Sequence, residues 1–162
     1  MLNVSGIIEN SIVDGEGIRY VVFVQGCPHH CKGCHNPSTW EFKENKLIDI
    51  NKIVSSIKSD PLCNGITFSG GEPFTQVQEL ILLADEIHKL NKTVWCYTGY
   101  TFEELLERKE KRELLNHIDV LVDGRFILEQ KDISLKFRGS KNQRLIDVPK
   151  SLKTNSIIIK EE

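Results

Sequence analysis

Apolar runs of strand length alternate with helical patterns along the chain. The first run, residues 18–24, is nearly continuous and rich in β-branched and aromatic side chains, and shorter runs follow at 66–68, 93–97 and 118–122. Helical patterns of apolar positions separate most of these runs. Because strands joined by helical crossovers lie parallel in one sheet, the alternation predicts an α/β fold built on a parallel sheet.

Capping residues mark three helix starts. Asp49 precedes apolar residues at helical spacing, and this pattern ends before Pro61. The segments 75–78 (Thr-x-x-Gln) and 101–104 (Thr-x-x-Glu) have the spacing of capping boxes. We therefore predict helices that begin at these three places.

The number of strands limits the architecture. Four clear strands, with one more at 145–148 or 157–159, are too few to close an eight-stranded barrel of about 250 residues. We expect a partial, open (βα) barrel, a truncated sheet of the TIM-like type. Ligands of such sheets bind at the carboxyl ends of the strands, and the cysteine-rich segment after residue 24 and the turn at 69–73 both follow strand ends.

Composition indicates an ordinary globular chain. It has 162 residues, of which 27% are charged and 40% hydrophobic, so we expect one domain over residues 1–162. The formal net charge of -2 gives no global attraction to nucleic acid, which is not an expected partner. No apolar run approaches the roughly 18 residues of a membrane span, and the N-terminus does not read as an export signal. We therefore expect a cytoplasmic protein without membrane contact.

Three of the five cysteines, Cys27, Cys31 and Cys34, fall within eight residues. In a reducing compartment cysteines serve as metal ligands or free thiols rather than disulfides. Three thiolates at this spacing can hold three irons of a [4Fe-4S] cubane, which leaves one iron open to a non-protein ligand. Cys63 and Cys96 lie in or beside apolar segments, and we expect them to be buried thiols.

Two other interpretations of the cysteine segment remain. Structural zinc needs four protein ligands and could recruit a nearby histidine or a distant cysteine, which would make the chain a zinc-stapled binding module. Zinc loops usually pair cysteines in two groups, and this chain has no second pair. A redox pair of Cys31 and Cys34 would leave Cys27 without a role.

The segment Ser69-Gly70-Gly71-Glu72-Pro73 also has two interpretations. Paired glycines permit backbone angles that other residues avoid, so the segment could be only a tight turn between a strand and a helix. Alternatively, the backbone approaches a ligand closely here, with Glu72 available to hold a positively charged amino group.

Together, the cysteine spacing after the first strand and Gly-Gly-Glu-Pro after the second resemble the radical S-adenosylmethionine enzymes. Further segments resemble one family of that superfamily, the glycyl-radical activases of anaerobic ribonucleoside-triphosphate reductase. These segments span most of the chain: 14–19, 23–27, 33–40, 95–100, 119–126 and 138–144.

The resemblance implies a [4Fe-4S] cluster on Cys27, Cys31 and Cys34, with S-adenosylmethionine bound to the open iron. Reductive cleavage would then yield a 5'-deoxyadenosyl radical that takes hydrogen from a backbone glycine of the reductase. No catalytic side chain is implied beyond the cluster. A reduced flavodoxin- or ferredoxin-like protein would supply the electron, and a homodimer is left open. The alternative within this class is activation of another glycyl-radical enzyme, such as pyruvate formate-lyase.

The resemblance also implies the cofactor contacts. Gly70, Gly71 and Glu72 would hold the methionine end. Many members have an aromatic residue just before the last cysteine, near the adenine, but this chain has a glycine there. Backbone around Gly33, Cys34 and His35 would therefore contact the adenine.

Four basic positions are left with two interpretations each. Arg19, Arg138, Lys141 and Arg144 are either solvated or contact the cofactor carboxylate or the partner protein. Asp123 follows a strand end, where a related activase has a cation site, and no metal is assigned to it.

Overall fold

The computed structural model describes residues 1–160 of the chain. Residues 161 and 162, the end of the predicted domain, lie outside the described part. The strands and helices follow one another in this order: β1 (Leu2–Ser11), β2 (Arg19–Val24), β3 (Lys46–Ile48), α1 (Ile50–Lys58), β4 (Gly65–Gly70), α2 (Val77–Lys89), β5 (Thr93–Tyr97), α3 (Phe102–Glu107), α4 (Lys109–Leu115), β6 (Val120–Asp123), β7 (Arg144–Asp147) and α5 (Val148–Thr154).

The seven strands form one sheet in the order β3-β1-β2-β4-β5-β6-β7. Parallel pairing is confirmed for the central strands β2, β4, β5 and β6. Antiparallel pairs flank them, β1 with β2 and β3 on one side and β7 with β6 on the other. Within residues 1–160, β3 and β7 are edge strands, so the sheet stays open, as predicted for a partial barrel.

Two of the three predicted helix starts are confirmed. Asp49 accepts a hydrogen bond from the backbone of Asn51 at the start of α1, and residues 101–104 form a complete capping box at α3. The predicted box at 75–78 is wrong: α2 begins at Val77 without a side-chain cap. The Thr75 hydroxyl instead donates to the carbonyl of Glu72, because a short 3-10 turn separates β4 from α2.

The edge of the sheet departs most from the sequence prediction. Strands β1 and β3 were not predicted, since β1 carries polar residues, a glycine and two register shifts in its pairing with β2. The additional strand near residue 145 exists as β7. Residues 157–159 contribute only a single bridge between Ile146 and Ile159.

The two faces of the sheet are packed differently. One face packs against the helices and holds the main core, in which Cys63 and Cys96 are buried as predicted. The opposite face, called the inner face below, carries a smaller cluster around Trp95 and Val122. Because the helices cover only the other face, the inner face is available for ligands at the carboxyl ends of the strands. No helix in residues 1–160 is long and apolar enough to cross a bilayer.

Arg19 fills the amino-terminal end of the inner face. Its guanidinium is buried and donates all five N–H groups to hydroxyl and carbonyl oxygens, with no carboxylate among the acceptors. Burial lowers its pKa to about 10. Arg19 is therefore neither solvated nor a ligand of a cofactor at the other end of the strands. Its side chain fills the amino-terminal end of the open barrel.

Candidate functional site

The three cysteines of the predicted cluster lie in a loop that follows β2 and is closed at its base by backbone hydrogen bonds. Gly26 N donates to Thr39 O at 2.7 Å, and Cys27 N donates to Trp40 O at 3.1 Å. Residues 27–34 are called the cysteine loop below. All three cysteines are partly exposed and unpaired. The loop thus presents three thiols at the carboxyl end of β2.

The chemistry of these thiols fits an iron–sulfur cluster. Burial raises the pKa of the Cys27 and Cys31 thiols, so the proton is held until a metal displaces it. Asn36 N donates to the sulfur of Cys34 at 3.3 Å. Within residues 1–160, no three metal-binding side chains converge on a single ion position. Each thiolate of a cubane binds a separate iron, and three free thiols in one loop are the ligand type that such a cluster takes.

The segment 69–73, called the glycine turn below, is joined to the base of the cysteine loop. Gly71 N donates to Val24 O and Glu72 N to Gly26 O, both at 2.8 Å. A Cβ on Gly71 would clash with the carbonyl oxygen of Gly26, and a Cβ on Gly70, whose φ is +92°, would clash with the backbone of Phe23. The paired glycines are therefore needed because the backbone of the turn lies directly against the backbone of residues 23–26.

Glu72 has no free carboxylate oxygen in this structure. Its side chain is fully buried, and Oε1 accepts hydrogen bonds from His29 Nε2 and Gly99 N, both at 2.8 Å. Oε2 accepts from Phe74 N at 2.9 Å, and the Thr98 hydroxyl lies 2.9 Å from both oxygens. The carboxylate thus joins the cysteine loop, the glycine turn and the loop after β5.

His29 is a residue of the site that the sequence did not reveal. Its ring meets the edge of Tyr100 with 4.6 Å between centroids. A Cβ on Gly99 would clash with this ring, so the glycine provides its space. The sequence offered one signal, the place of His29 between two cysteines, but 43 residues separate it from Glu72.

The predicted adenine contacts lie on the other side of the cysteine loop. Gly33 has φ of +80°, and a Cβ there would come within 2.9 Å of Leu128. The ring of His35 meets the ring of Phe126 edge-on at 5.4 Å. Gly33, Cys34 and His35 are therefore brought beside the segment after β6, and Phe126 places an aromatic ring where the local sequence has none.

At the end of β6, Asp123 is buried and paired with an arginine. Arg144 donates to it through Nε at 3.1 Å and Nη2 at 2.6 Å, and Phe102 N donates at 2.8 Å. Arg144 also pairs with Glu103 at 2.6 Å. The hydrogen bond to Asp123 raises the pKa of Arg144 further. The guanidinium of Arg144 thus occupies the position beside Asp123. Arg144 is bound to two carboxylates of the protein rather than free in solvent.

A cleft of about 660 Å³ opens on the inner face beside Tyr97. Its two walls are the loop before β2 and the segment 133–139. Ile12, Val13 and Ile133 expose 71%, 70% and 93% of their surface there. Lys136 and Arg138 also line it, so the opening combines apolar side chains with two cations. The Nη1 group of Arg138 is held by Gln143 O at 2.7 Å.

Comparison with known proteins gives relatives over most of the chain. A family model described as a 4Fe-4S single cluster domain matches residues 13–146. The anaerobic ribonucleoside-triphosphate reductase-activating protein of Haemophilus influenzae is 40% identical over 140 residues, which cover 82% of this chain and 89% of that protein. The protein of the same description from Vibrio cholerae is 39% identical over 140 residues, with the same coverage. That of Enterobacteria phage T4 is 36% identical over 152 residues, 89% of this chain and 93% of the phage protein.

Among solved structures, QueE from Escherichia coli superposes with a TM-score of 0.51 at 19% sequence identity. The match covers 62% of this chain and 53% of QueE. The chain thus spans about half the length of QueE, and the likeness concerns the fold alone.

Proposed function

Because the chain belongs to the family of anaerobic ribonucleoside-triphosphate reductase-activating proteins, we propose that it generates the glycyl radical of that reductase as a radical S-adenosylmethionine enzyme. When bound, the [4Fe-4S] cluster and S-adenosylmethionine supply the chemistry, a one-electron cleavage to methionine and a 5'-deoxyadenosyl radical that takes hydrogen from a backbone glycine. The observation that carries the proposal is the junction of three free thiols with the glycine turn at the end of β2 and β4.

We propose that Cys27, Cys31 and Cys34 hold the cluster. They are the three partly exposed cysteines of the chain, whereas Cys63 and Cys96 are buried in the core. A set of three thiolates leaves one iron without a protein ligand, and that iron can take the methionine amino and carboxylate groups.

The glycine turn lies where the methionine end of the cofactor would be held. Gly70 and Gly71 bring the backbone close to the cysteine loop, and Glu72 supplies negative charge beneath it. Oε1 of Glu72 already accepts from three donors. Because this carboxylate is buried and both of its oxygens already accept hydrogen bonds, it would act on an ammonium group at the turn as a fixed negative charge rather than as a direct hydrogen-bond partner.

The adenine end would lie against the opposite side of the cysteine loop. Backbone groups of Gly33, Cys34 and His35 are proposed to contact it, as the resemblance to radical S-adenosylmethionine enzymes implies. Phe126 supports this placement because its ring packs against His35 and lies close to Gly33. An aromatic ring from a later segment thus provides the apolar surface that glycine at position 33 does not.

The cleft beside Tyr97 is the proposed entrance for the glycine-bearing segment of the reductase. Its exposed apolar walls suit a protein segment better than a small polar substrate, since apolar patches of this kind mark interaction sites. The reduced flavodoxin- or ferredoxin-like donor, the homodimer and the cytoplasmic location stay predictions. One domain over residues 1–162 is likewise our proposal.

Anaerobic reconstitution tests this function. The protein would be loaded with iron and sulfide, reduced with dithionite and supplied with S-adenosylmethionine, with and without the anaerobic reductase. We expect 5'-deoxyadenosine in both samples, more of it with the reductase, and a glycyl signal in electron paramagnetic resonance only with the reductase. Stimulation by pyruvate formate-lyase instead of the reductase would support the alternative activase.

A further inference from the structure

The side chain of His29 connects the cysteine loop to the glycine turn. Its Nε2 lies 2.8 Å from Oε1 of Glu72, and the side chains are 5% and 0% exposed. A carboxylate can only accept hydrogen bonds, so Nε2 carries the proton of this bond. The bond is shielded from water. In the protein interior, a hydrogen bond to a charged group is stronger than at the surface.

This bond is the side-chain hydrogen bond that reaches from the cysteine loop to the glycine turn. Within residues 1–160, two side chains of segment 27–34 form hydrogen bonds outside that segment: the Cys34 sulfur accepts from the backbone of nearby Asn36, and His29 alone bonds to Glu72. The neighbouring His30 is exposed and stacks on Trp40, with 4.6 Å between ring centroids and 9° between ring planes. Two histidines of the same loop thus differ in partner, and only one of them meets Glu72.

The surroundings of His29 fix its ring from two further sides. Tyr100 packs against the ring, and Gly99 leaves the space that a Cβ would fill. Arg108 and Lys111 lie over the ring of Tyr100, at 5.0 Å and 5.3 Å from its centroid. The His29 ring is therefore packed between Tyr100 and Gly99, with Nε2 facing Glu72.

We propose that His29 is a positioning residue that holds the open iron at a fixed separation from the glycine turn. The proposal rests on the proposed function, in which the methionine end is bound by both. A ligand that must reach two attachment points binds well only when the distance between them is held. Without the His29 bond, backbone contacts still join the turn to the base of the loop, but the loop between Cys27 and Cys31 loses its side-chain anchor.

Three variants separate this role from general damage to the loop. His29→Phe keeps the ring and its contact with Tyr100 but removes the donor. His29→Gln keeps an N–H donor at a similar reach without the ring. His30→Phe is the matched control, since it makes the same chemical change one residue away and retains a ring to stack on Trp40.

Each protein would be reconstituted anaerobically, and its iron content and circular dichroism would be measured. Binding of S-adenosylmethionine would be followed by equilibrium dialysis and by the change that it causes in the paramagnetic resonance spectrum of the reduced cluster. For His29→Phe we expect normal iron content and a dissociation constant raised about tenfold, the effect of losing one buried charge-assisted hydrogen bond. His29→Gln should stay within about threefold of the wild type, and His30→Phe should be unchanged.

Three results would overturn the inference: wild-type affinity in His29→Phe, an equal loss in His30→Phe, or failure of His29→Gln to restore binding. If His29→Phe assembles no cluster, the role is in holding iron rather than in positioning the cofactor, and the inference is also wrong. Failure of the proposed function has a different outcome, because the reconstituted wild-type protein would then form no 5'-deoxyadenosine.

Discussion

The backbone N–H of Glu72 donates to the carbonyl of Gly26 at 2.8 Å, and this bond joins the glycine turn to the first residue before the cysteine loop. Two motifs that lie far apart in sequence are thus joined through one backbone contact. Since the carbonyl of Gly26 faces the turn, the residue at position 71 has no space for a side chain. The glycines of the motif are a structural requirement of the loop that carries the cysteines.

A Cβ on Gly71 should therefore damage the cluster site even though the residue is not a metal ligand. We expect Gly71→Ala to lower the free energy of unfolding by about 1–3 kcal/mol, the usual effect of forced overpacking, and to reduce the iron bound after reconstitution. Urea unfolding and iron analysis would measure both. Gly6→Ala is the control, because no atom of residues 1–160 lies within 4 Å of a Cβ at that position. Full iron content in Gly71→Ala would contradict the prediction.

Replacement of one proposed cluster ligand should abolish cofactor cleavage and leave the fold largely intact. In Cys31→Ser the partly exposed thiol becomes a weaker hydroxyl ligand, so we expect loss of bound iron and of 5'-deoxyadenosine formation, with unchanged far-ultraviolet circular dichroism. Cys63→Ser tests the buried thiol, whose sulfur donates to Gly65 O at 3.3 Å, a bond that a hydroxyl can also make. Cleavage at the wild-type rate by reduced Cys31→Ser would refute the ligand assignment.

Removal of the cation beside Asp123 should destabilise the fold. Arg144→Met leaves the carboxylate, which is 1% exposed, with the backbone of Phe102 as its remaining donor. We expect the free energy of unfolding to fall by about 2–4 kcal/mol, since an unpaired buried charge is costly. Arg125→Met removes an exposed pair with Glu104 and should cost less than about 0.5 kcal/mol. Equal effects in chemical denaturation would show that burial of the pair is not decisive.

Arg144 should also make the stability of the fold depend on pH, through its hydrogen bond to Glu103. Its hydrogen bond from Arg144 lowers the pKa of the Glu103 carboxyl below the ordinary 4.5. The folded state therefore favours the ionised form, so this contribution is full above pH 4.5 and is lost as the pH falls through the lower folded-state value. Because Glu103 is largely exposed, we expect only a few tenths of a kcal/mol. Carboxyl NMR titration should give a higher pKa in Arg144→Met, and an unchanged pKa would disprove the coupling.

The sequence predicted the parts of the site that depend on local spacing. The cysteine triplet, the glycine turn and the capping box at 101–104 each lie within a few residues, and the parallel order of the central strands follows from the helices between them. Their meeting at one rim also follows, because parallel strands end on the same side.

Contacts between distant residues could not be predicted in this way. Nothing in the spacing of His29 indicates that Glu72 lies beside it, or that Phe126 packs against His35. Arg19 was left between two interpretations because a charged residue at a strand end is usually solvated. Its burial depends on five acceptors that only the folded sheet brings together.

The same arginine makes the folding of three strands interdependent. Arg19 at the start of β2 donates to Thr67 and to the Ile66 carbonyl of β4, and to the hydroxyl and carbonyl of Thr93 in β5. If any one of these strands lost its register, a guanidinium without a carboxylate partner would be left short of acceptors in the interior. Partial opening between these strands is thus disfavoured, and β2, β4 and β5 form one cooperative unit that is completed only when contacts spanning up to 74 residues have closed.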